Sequence, residues 1–226
     1  MYAGYETTGE RVPLRTTKIL APVIPRSKVV GIGLNYYDHA DEMGQEAPEF
    51  PIVFLKPNTT VVGPGDPIQI PPVEGEIHLE GELAIVIGAI AKRVKAEDYA
   101  DVVFGYTIAN DVTARGVQET DGQWTRAKSY DTFCPIGPYI ETELDWTDLK
   151  IQSRVDGEVL QRETTQQMIH KIPELIAYVS DIFTLLPGDI ILTGTPAGVG
   201  PFTEGQTVEI SIEGLGSLIN PAKARA

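Results

Sequence analysis

The sequence predicts an α+β fold that is rich in β-structure and has one main helix. Short apolar runs separated by Pro and Gly recur along the chain, and this pattern favours antiparallel or mixed strands. The Asp156-Gly157 pair lies between two alternating runs and indicates a β-hairpin. Residues 164–186 carry apolar side chains at helical spacing, which predicts the main helix.

Composition limits the class of protein. The chain has 226 residues, 42 % hydrophobic and 22 % charged, as is ordinary for a soluble globular protein. Its net charge of −14 argues against a nucleic-acid partner and an anionic membrane surface, because both need a basic face. We find no signal peptide and no apolar segment long enough to span a bilayer, so we expect a cytoplasmic protein. The single cysteine, Cys134, excludes an internal disulfide framework, and its apolar context favours a buried side chain.

The first part of the chain predicts an arm followed by the opening strands. Residues 1–28 lack clean periodicity and are interpreted as an N-terminal arm, with residues 29–226 as the folded domain. A short strand over 28–34 leads into a helical turn that Asp38 can cap and Gly44 can end. Further short strands with Pro and Gly between them follow.

The middle of the chain combines buried strands with one irregular segment. Residues 83–87 and 102–109 are apolar and rich in β-branched side chains, which predicts buried strands. Residues 112–130 are the least regular, and long ordered loops in compact domains are often functional.

The main helix has two interpretations. The pattern places the start of the helix at Thr164 or Thr165. Pro173 lies inside that range and indicates either a kink or a helix that begins near the proline. Pro187-Gly188 ends the helix. A strand, a glycine-rich turn over 194–200, a closing strand and a tail complete the chain. Free backbone N–H groups in that turn can meet an anion.

Three carboxylates are candidate metal ligands. Glu80 and Glu82 directly precede the apolar run over 83–87, and positions two apart in a strand share a face. Two close carboxylates are costly to desolvate unless a cation or a shared proton lies between them. Asp111 follows the run over 102–109, so the three side chains converge if these strands are neighbours. Such a group would hold Mg²⁺ or Mn²⁺ with positions open for a substrate, whereas solvated acids at strand ends are the alternative.

A second candidate is the pair formed by His39 and Glu42. Side chains three apart on a helical turn share a face, and a histidine beside a carboxylate can act as a general base. The same spacing also produces ordinary polar contacts on helix surfaces, so the spacing leaves both interpretations open.

Six motifs, in order, resemble the fumarylacetoacetate hydrolase family. They are GIGLNYYDHADEM at 31–43, FLKPNTTVVGPGDPI at 54–68, HLEGELAIVIG at 78–88, GYTIANDVTAR at 105–115, RAKSYDTFCPIGP at 126–138 and PGDIILTGTPAGVG at 187–200. The resemblance implies a mixed β-roll around a metal site, a catalytic domain over residues 29–226, and a homodimer. The larger members carry a separate N-terminal domain, of which residues 1–28 would be a stub.

The resemblance also implies roles for the motif residues. Metal ligation by Glu80, Glu82 and Asp111 agrees with the carboxylate argument. His39 and Glu42 match a dyad that lies on a lid segment in several members. The resemblance places Lys128 at the metal site as a catalytic residue near the bound substrate, and Thr195 at a substrate carboxylate. Arg115 and Gln118 are similar to polar residues on the substrate side.

One departure from the family pattern is visible at Leu34. Many members have arginine at this position of a GRNY motif, whereas this chain reads GLNY. The substitution leaves the preferred substrate charge open.

The resemblance implies a metal-dependent enzyme acting on small 2-oxo mono- or dicarboxylic acids through an enolate. Isomerisation, as of 2-hydroxyhepta-2,4-diene-1,7-dioate, and decarboxylation, as of oxaloacetate, are favoured over hydrolysis of acylpyruvates by a water that His39 and Glu42 activate. A metal-stabilised binding protein without turnover is the alternative of another class. The intact motif acids, Lys128 and the His39–Glu42 pair count against it.

Overall fold

The structure is a computed structural model that describes residues 8–225. Within this range, fifteen strands form three sheets. The strands are β1 (Val29–Gly33), β2 (Ile52–Lys56), β3 (Val61–Val62), β4 (Ile68–Ile70), β5 (Ile77–Leu79), β6 (Gly81–Ile87), β7 (Val103–Asn110), β8 (Thr113–Ala114), β9 (Cys134–Glu141), β10 (Lys150–Val155), β11 (Glu158–Thr164), β12 (Ile190–Leu192), β13 (Gly200–Pro201), β14 (Thr207–Ile212) and β15 (Gly216–Ala224).

Four α-helices lie between these strands. They are α1 (Tyr37–Glu42), α2 (Arg115–Asp121), α3 (Trp124–Lys128) and α4 (Ile172–Ile182). Short 3₁₀ helices occupy Leu14–Thr16, Asn58–Thr60, Ala96–Asp101 and Thr165–Gln167. No helix within residues 8–225 is long and apolar enough to cross a membrane.

The sheets mix parallel and antiparallel pairs. The largest has the order β2-β1-β12-β6-β7-β9-β3, the second β11-β10-β14-β15-β4, and the third β13-β5-β8. Parallel pairing joins β1 to β12, β3 to β9 and β15 to β4, and the other pairs are antiparallel. The predicted strand-rich α+β class is confirmed.

Strand β6 lies at the centre of the largest sheet. Every one of its residues is buried, and its neighbours are β12 and β7. The apolar run Leu83–Ile87 has no exposed face because the protein covers both sides of the sheet. A polar side chain at the start of this strand is therefore held in the interior.

Helix α4 begins near Pro173, as one of the two interpretations predicts, and a start at Thr164 or Thr165 is wrong. Thr164 ends strand β11, and proline fits the first turn of α4 because its missing N–H has no helical partner there. The Glu174 carboxylate accepts a hydrogen bond from the Lys171 N–H at 3.1 Å, which caps the helix.

Other local predictions have mixed outcomes. The β10–β11 hairpin is confirmed, and Asp156 and Gly157 both have positive φ, as its tight turn requires. Residues 112–130 are more regular than predicted, since they contain β8, α2 and α3. The predicted tail is wrong as well, because Gly216–Ala224 pairs with both β14 and β4.

The Cys134 thiol lies fully buried in β9, as predicted. Burial raises its pKa to about 12, so it is a core side chain and not a nucleophile. Residues 8–28 contain no strand, and most of their side chains are exposed. The division at residue 28 between an arm and a domain stays a prediction.

A buried carboxylate fixes the beginning of the parallel pair β1–β12. Asp189 accepts hydrogen bonds from the Ser27 hydroxyl at 2.6 Å and the Leu186 N–H at 2.9 Å, and its Oδ2 lies 2.6 Å from Lys28 Nζ. Burial alone would raise the pKa of Asp189, but these donors outweigh it and hold the pKa below its ordinary value.

We expect Asp189→Asn to lower the free energy of unfolding by about 3 kcal/mol, because it leaves the Lys28 ammonium without its buried partner. Because the folded-state pKa is lowered, the stabilisation is complete above the ordinary carboxyl pKa and is lost as pH falls through the folded value. Urea unfolding at several pH values measures the difference, which should narrow in acid. The exposed Asp98→Asn is the control, and an equal loss there would contradict the prediction.

Candidate active site

A single cavity of about 190 Å³ collects almost all of the predicted site residues. The cavity also has an apolar wall. Eight predicted residues line it: His39, Glu80, Glu82, Asp111, Arg115, Gln118, Lys128 and Thr195. The ninth, Glu42, lines an adjoining surface cavity.

Antiparallel pairing of β6 and β7 brings the three carboxylates together. The pairing sets Gly81 opposite Asn110, so the start of one strand meets the end of the other. The Asp111 N–H donates to the Glu80 carbonyl at 2.9 Å. Glu80, Glu82 and Asp111 are each 4 % exposed or less, and one oxygen of each lies within 4.8 Å of the others. The predicted convergence is therefore confirmed.

Lys128 neutralises two of these acids from helix α3. Its Nζ lies 2.7 Å from Glu80 Oε2 and 2.6 Å from Asp111 Oδ2, and it donates to the Thr113 hydroxyl at 2.9 Å. All three N–H groups of the ammonium are therefore used by the protein. Burial would lower the pKa of Lys128, but the charges of Asp111 and Glu80 outweigh burial and raise it, so the side chain is charged.

Arg115 at the start of α2 adds a second cation. Its Nη2 lies 2.6 Å from Glu80 Oε1, and its Nη1 donates to Gln118 Oε1 at 2.8 Å. Burial alone would raise the pKa of Glu80, but Lys128 and Arg115 hold it well below its ordinary value. Glu80 is therefore ionised in the interior.

Glu82 is in a different electrostatic position. Among residues 8–225 it has no cationic side chain at ion-pair distance, and its Oε2 accepts one hydrogen bond, from the Gly194 N–H at 2.6 Å. Burial and the charges of Asp111 and Glu80 raise its pKa well above the ordinary value. Three converging carboxylates, one of them lacking a counter-charge, fit a hard divalent cation, which takes oxygen ligands.

Lys56 completes the charge balance, and the sequence reasoning missed it. Its ammonium makes a very short contact with Asp111 Oδ1 and donates to the Phe133 carbonyl at 2.8 Å. The side chain is fully buried at the end of β2. A lysine that ends the apolar run IVFLK was a detectable signal, because a buried ammonium needs an acid partner.

The predicted dyad is formed, and it is anchored to the glycine-rich turn. His39 is 5 % exposed, and its Nδ1 lies 3.0 Å from Glu42 Oε2. The other oxygen of Glu42 accepts from the Gly198 N–H at 3.0 Å. Glu42 thereby orients the imidazole, and Nε2 has no protein partner within residues 8–225. That nitrogen is available for proton transfer at the cavity.

Thr195 lies in the turn that follows β12. Its hydroxyl donates to the Gly81 carbonyl at 3.0 Å and accepts from Gln161 Nε2 at 2.7 Å. Gly194 has φ of +95°, and a Cβ there would overlap Asn35, so the turn requires glycine. The turn thereby places Thr195 beside the backbone of β6, the strand that contains Glu82.

The remaining wall of the cavity is apolar. Phe54 and Trp124 meet edge to face with ring centroids 5.5 Å apart, and Lys128 Nζ lies 5.0 Å from the Phe54 centroid. Leu34 has φ of +53°, an uncommon conformation for a bulky residue, and is 6 % exposed. Within residues 8–225, the lysine and arginine side chains that line the cavity are those of Arg115 and Lys128, so these two supply the positive charge that faces it.

The aromatic pair fits against the glycines of β1. A Cβ on Gly31 would overlap the Phe54 ring, and one on Gly33 would overlap the Trp124 ring. The sequence reasoning did not assign these two aromatic residues to the site, because their partners are distant in the chain.

Comparisons with known proteins identify the family of the chain. The sequence profile of the fumarylacetoacetate (FAA) hydrolase C-terminal family matches residues 28–223. The chain therefore belongs to the fumarylacetoacetate hydrolase family, and it is an enzyme.

Three relatives are informative. A solved 5-carboxymethyl-2-hydroxymuconate delta-isomerase from Mycobacterium smegmatis is 52 % identical, with a TM-score of 0.90, covering 97 % of this chain and 87 % of that one. The mitochondrial oxaloacetate tautomerase Fahd2a of Rattus norvegicus is 45 % identical over 92 % of this chain and 70 % of its own length. A maleylpyruvate hydrolase from Sphingobium sp. SYK-6, solved with manganese(II) and pyruvate, is 36 % identical with a TM-score of 0.84, covering 96 % and 78 %.

We expect Mn²⁺ binding to release protons, because the raised pKa of Glu82 keeps its carboxyl protonated more than an ordinary glutamate before a cation binds. The affinity should rise with pH for the same reason. Titration calorimetry in buffers of different ionisation enthalpy counts the protons. Glu82→Gln should abolish the release, and the exposed Glu213→Gln should preserve it. Equal proton counts in wild type and Glu82→Gln would contradict the assignment.

Lys56→Met should lower the free energy of unfolding by about 3 kcal/mol, because it leaves the buried Asp111 with one cation instead of two. Urea unfolding measures the loss. Lys95→Met is the matched control, since Lys95 is exposed and lies 3.8 Å from Glu97. Equal stability of the two variants would show that the Lys56–Asp111 pair contributes nothing.

Proposed function

We propose that this enzyme transfers a proton within a 2-oxo dicarboxylic acid, converting tautomers or double-bond isomers. Mg²⁺ or Mn²⁺ would be held by Glu80, Glu82 and Asp111. The isomerase and the oxaloacetate tautomerase among its relatives, at 52 % and 45 % identity, support this reaction class.

The observation that carries the proposal is the charge balance of the buried site. Three carboxylates, Glu80, Glu82 and Asp111, are matched by three cationic side chains. These are Lys56, Arg115 and Lys128. A divalent cation would leave the site with two excess positive charges, which a substrate dianion cancels. A 2-oxo dicarboxylate carries that charge at neutral pH.

When bound, the cation would polarise the 2-oxo group and stabilise negative charge on its oxygen. Arg115 and Lys128 supply further positive charge around the substrate, and Gln118 holds the Arg115 guanidinium through Nη1. Thr195 contributes at the substrate carboxylate. Its hydroxyl proton is already donated to Gly81, so we assign this contact to its main-chain N–H, which has no partner within residues 8–225.

His39 moves the proton. Its Nε2 would take one proton from the carbon next to the 2-oxo group, and the electron pair of the C–H bond would pass to the oxo oxygen as an enolate. The imidazolium would then return the proton to that oxygen or to a carbon further along a conjugated chain. Glu42 holds Nδ1 and stabilises the charged ring.

A second candidate function is hydrolysis of a carbon–carbon bond, with the His39–Glu42 pair activating water. The maleylpyruvate hydrolase relative supports it at 36 % identity. Decarboxylation needs the same positive charge but no base, so it would leave the dyad without a chemical role.

We also propose that two copies of the chain associate. Five apolar side chains of the arm are exposed, and a partner surface would cover them: Val12, Leu14, Ile19, Leu20 and Ile24.

Turnover of Mn²⁺-loaded protein on the enol form of oxaloacetate tests the reaction, followed by ultraviolet absorbance. We expect loss of the enol signal that a chelator stops. His39→Asn should reduce the rate by about 10²- to 10⁴-fold, because it removes the general base. His170→Asn is the control, since His170 lies outside the cavity and contacts the Pro48 carbonyl.

Other outcomes separate the alternatives. Release of CO₂ that His39→Asn leaves unchanged would favour decarboxylation. Cleavage of acetylpyruvate would favour the hydrolase. No turnover of oxaloacetate or of acetylpyruvate would favour isomerisation of a longer unsaturated 2-oxo diacid.

A further inference from the structure

A fully buried glutamine outside the cavity connects two segments of the site: the backbone at Gly81, between two candidate metal ligands, and the turn that contains Thr195. Gln161 lies on β11, and none of its surface is exposed. We infer that Gln161 is a positioning residue that sets the Thr195 turn against the segment carrying Glu80 and Glu82. The substrate part of this inference rests on the proposed function.

The amide of Gln161 uses its full hydrogen-bonding capacity. Its Nε2 donates to the Thr195 hydroxyl and to the Pro196 carbonyl, each at 2.7 Å. Its Oε1 accepts from the Gly81 N–H at 2.9 Å and from the Ser153 hydroxyl at 2.7 Å. An amide offers two donors and two principal acceptor positions, so none is left over. A backbone donor on one side and a backbone acceptor on the other fix which way the amide points.

The oxygen of the Gln161 amide holds the backbone at Gly81, between Glu80 and Glu82. Gly81 separates Glu80 from Glu82, and a Cβ at this position would overlap the Ser153 hydroxyl and come within 3.1 Å of Gln161 Oε1. Glycine therefore allows the backbone between the two ligands to lie directly on the amide. Loss of the Gln161 contact releases the backbone that orients both carboxylates.

The nitrogen of the Gln161 amide holds the turn that contains Thr195. The Thr195 hydroxyl donates to the Gly81 carbonyl at 3.0 Å, so it can only accept from Gln161. These two bonds commit the hydroxyl proton to the protein, and the main-chain N–H of Thr195, which has no partner within residues 8–225, is the donor that Thr195 has left. Gln161 thereby fixes the orientation of the Thr195 hydroxyl in this turn.

The same turn also reaches the metal ligands. The Gly194 N–H, next in the chain to Thr195, donates to Glu82 Oε2 at 2.6 Å. A shift of the turn would therefore move a ligand contact and a substrate contact together.

Two substitutions separate the acceptor contacts of the Gln161 amide from its donor contacts. Gln161→Met removes all four bonds at similar length, whereas the carboxylate of Gln161→Glu keeps acceptor oxygens for Gly81 and Ser153 but has no donor for Thr195 and Pro196. One hydrogen bond is worth up to about tenfold in affinity. We expect Gln161→Met to weaken both Mn²⁺ and oxalate binding by about tenfold or more. Gln161→Glu should weaken oxalate binding by about tenfold and should weaken Mn²⁺ binding less than Gln161→Met does, because the Gly81 contact between the two ligands is kept.

Calorimetry measures the Mn²⁺ affinity, then the oxalate affinity of the Mn²⁺-loaded protein. Steady-state kinetics should show a larger rise in KM than fall in kcat for Gln161→Glu. Asn220→Leu is the matched control, because Asn220 is also a buried amide that donates twice, to the Gly63 and Asp66 carbonyls at 2.9 Å. It should lower the melting temperature and leave both affinities unchanged.

The outcomes decide the inference separately from the proposed function. Wild-type affinities in both Gln161 variants would overturn it, and so would equal losses in Asn220→Leu, which would reduce the effect to general stability. If Gln161→Met does not fold, Gln161→Glu still decides. Wild-type protein that binds Mn²⁺ and oxalate but converts no 2-oxo diacid would overturn only the proposed function. Protein that binds neither probe would overturn both.

Discussion

The whole site depends on keeping three carboxylates in a water-poor interior. Strand β6 is buried on both faces, so Glu82 is only 2 % exposed and little solvent reaches its charge. The protein solves this with fixed cations on Glu80 and Asp111 and leaves Glu82 short of one. The cluster is balanced in total charge, but its cations lie on Glu80 and Asp111, so a metal ion would supply the counter-charge that Glu82 lacks at ion-pair distance.

A second layer of buried polar groups keeps that arrangement in register. Asn35 receives the His170 N–H at 2.8 Å and donates to the Thr193 carbonyl at 2.7 Å, and Gln161 holds the other side of the same turn. Both amides bridge segments more than thirty residues apart in the chain. The turn after β12 is therefore positioned by side chains as well as by the strand that leads into it.

Local spacing explains which parts the sequence could predict. The Glu80–Glu82 pair follows from the alternation of a strand, and the His39–Glu42 pair from one turn of a helix, so neither needed a partner elsewhere. The sequence did not predict the roles of Lys56 and Gln161, because these roles depend on contacts with residues far away in the chain. One interpretation placed the start of α4 too early, because the apolar spacing continues back to the end of strand β11. Pro173 marked the true beginning. Where the six motifs supplied long-range information, they compensated for this limit.

The glycines of β1 place a constraint on how this cavity can diversify. Gly31 and Gly33 leave room for the rings of Phe54 and Trp124, and a larger residue at position 31 or 33 would overlap them. A smaller side chain at position 54 or 124 can therefore appear first, whereas a larger one at 31 or 33 must come second. Substrate range in related lineages should accordingly change through ordered, paired substitutions across this wall, while the carboxylates behind it stay fixed.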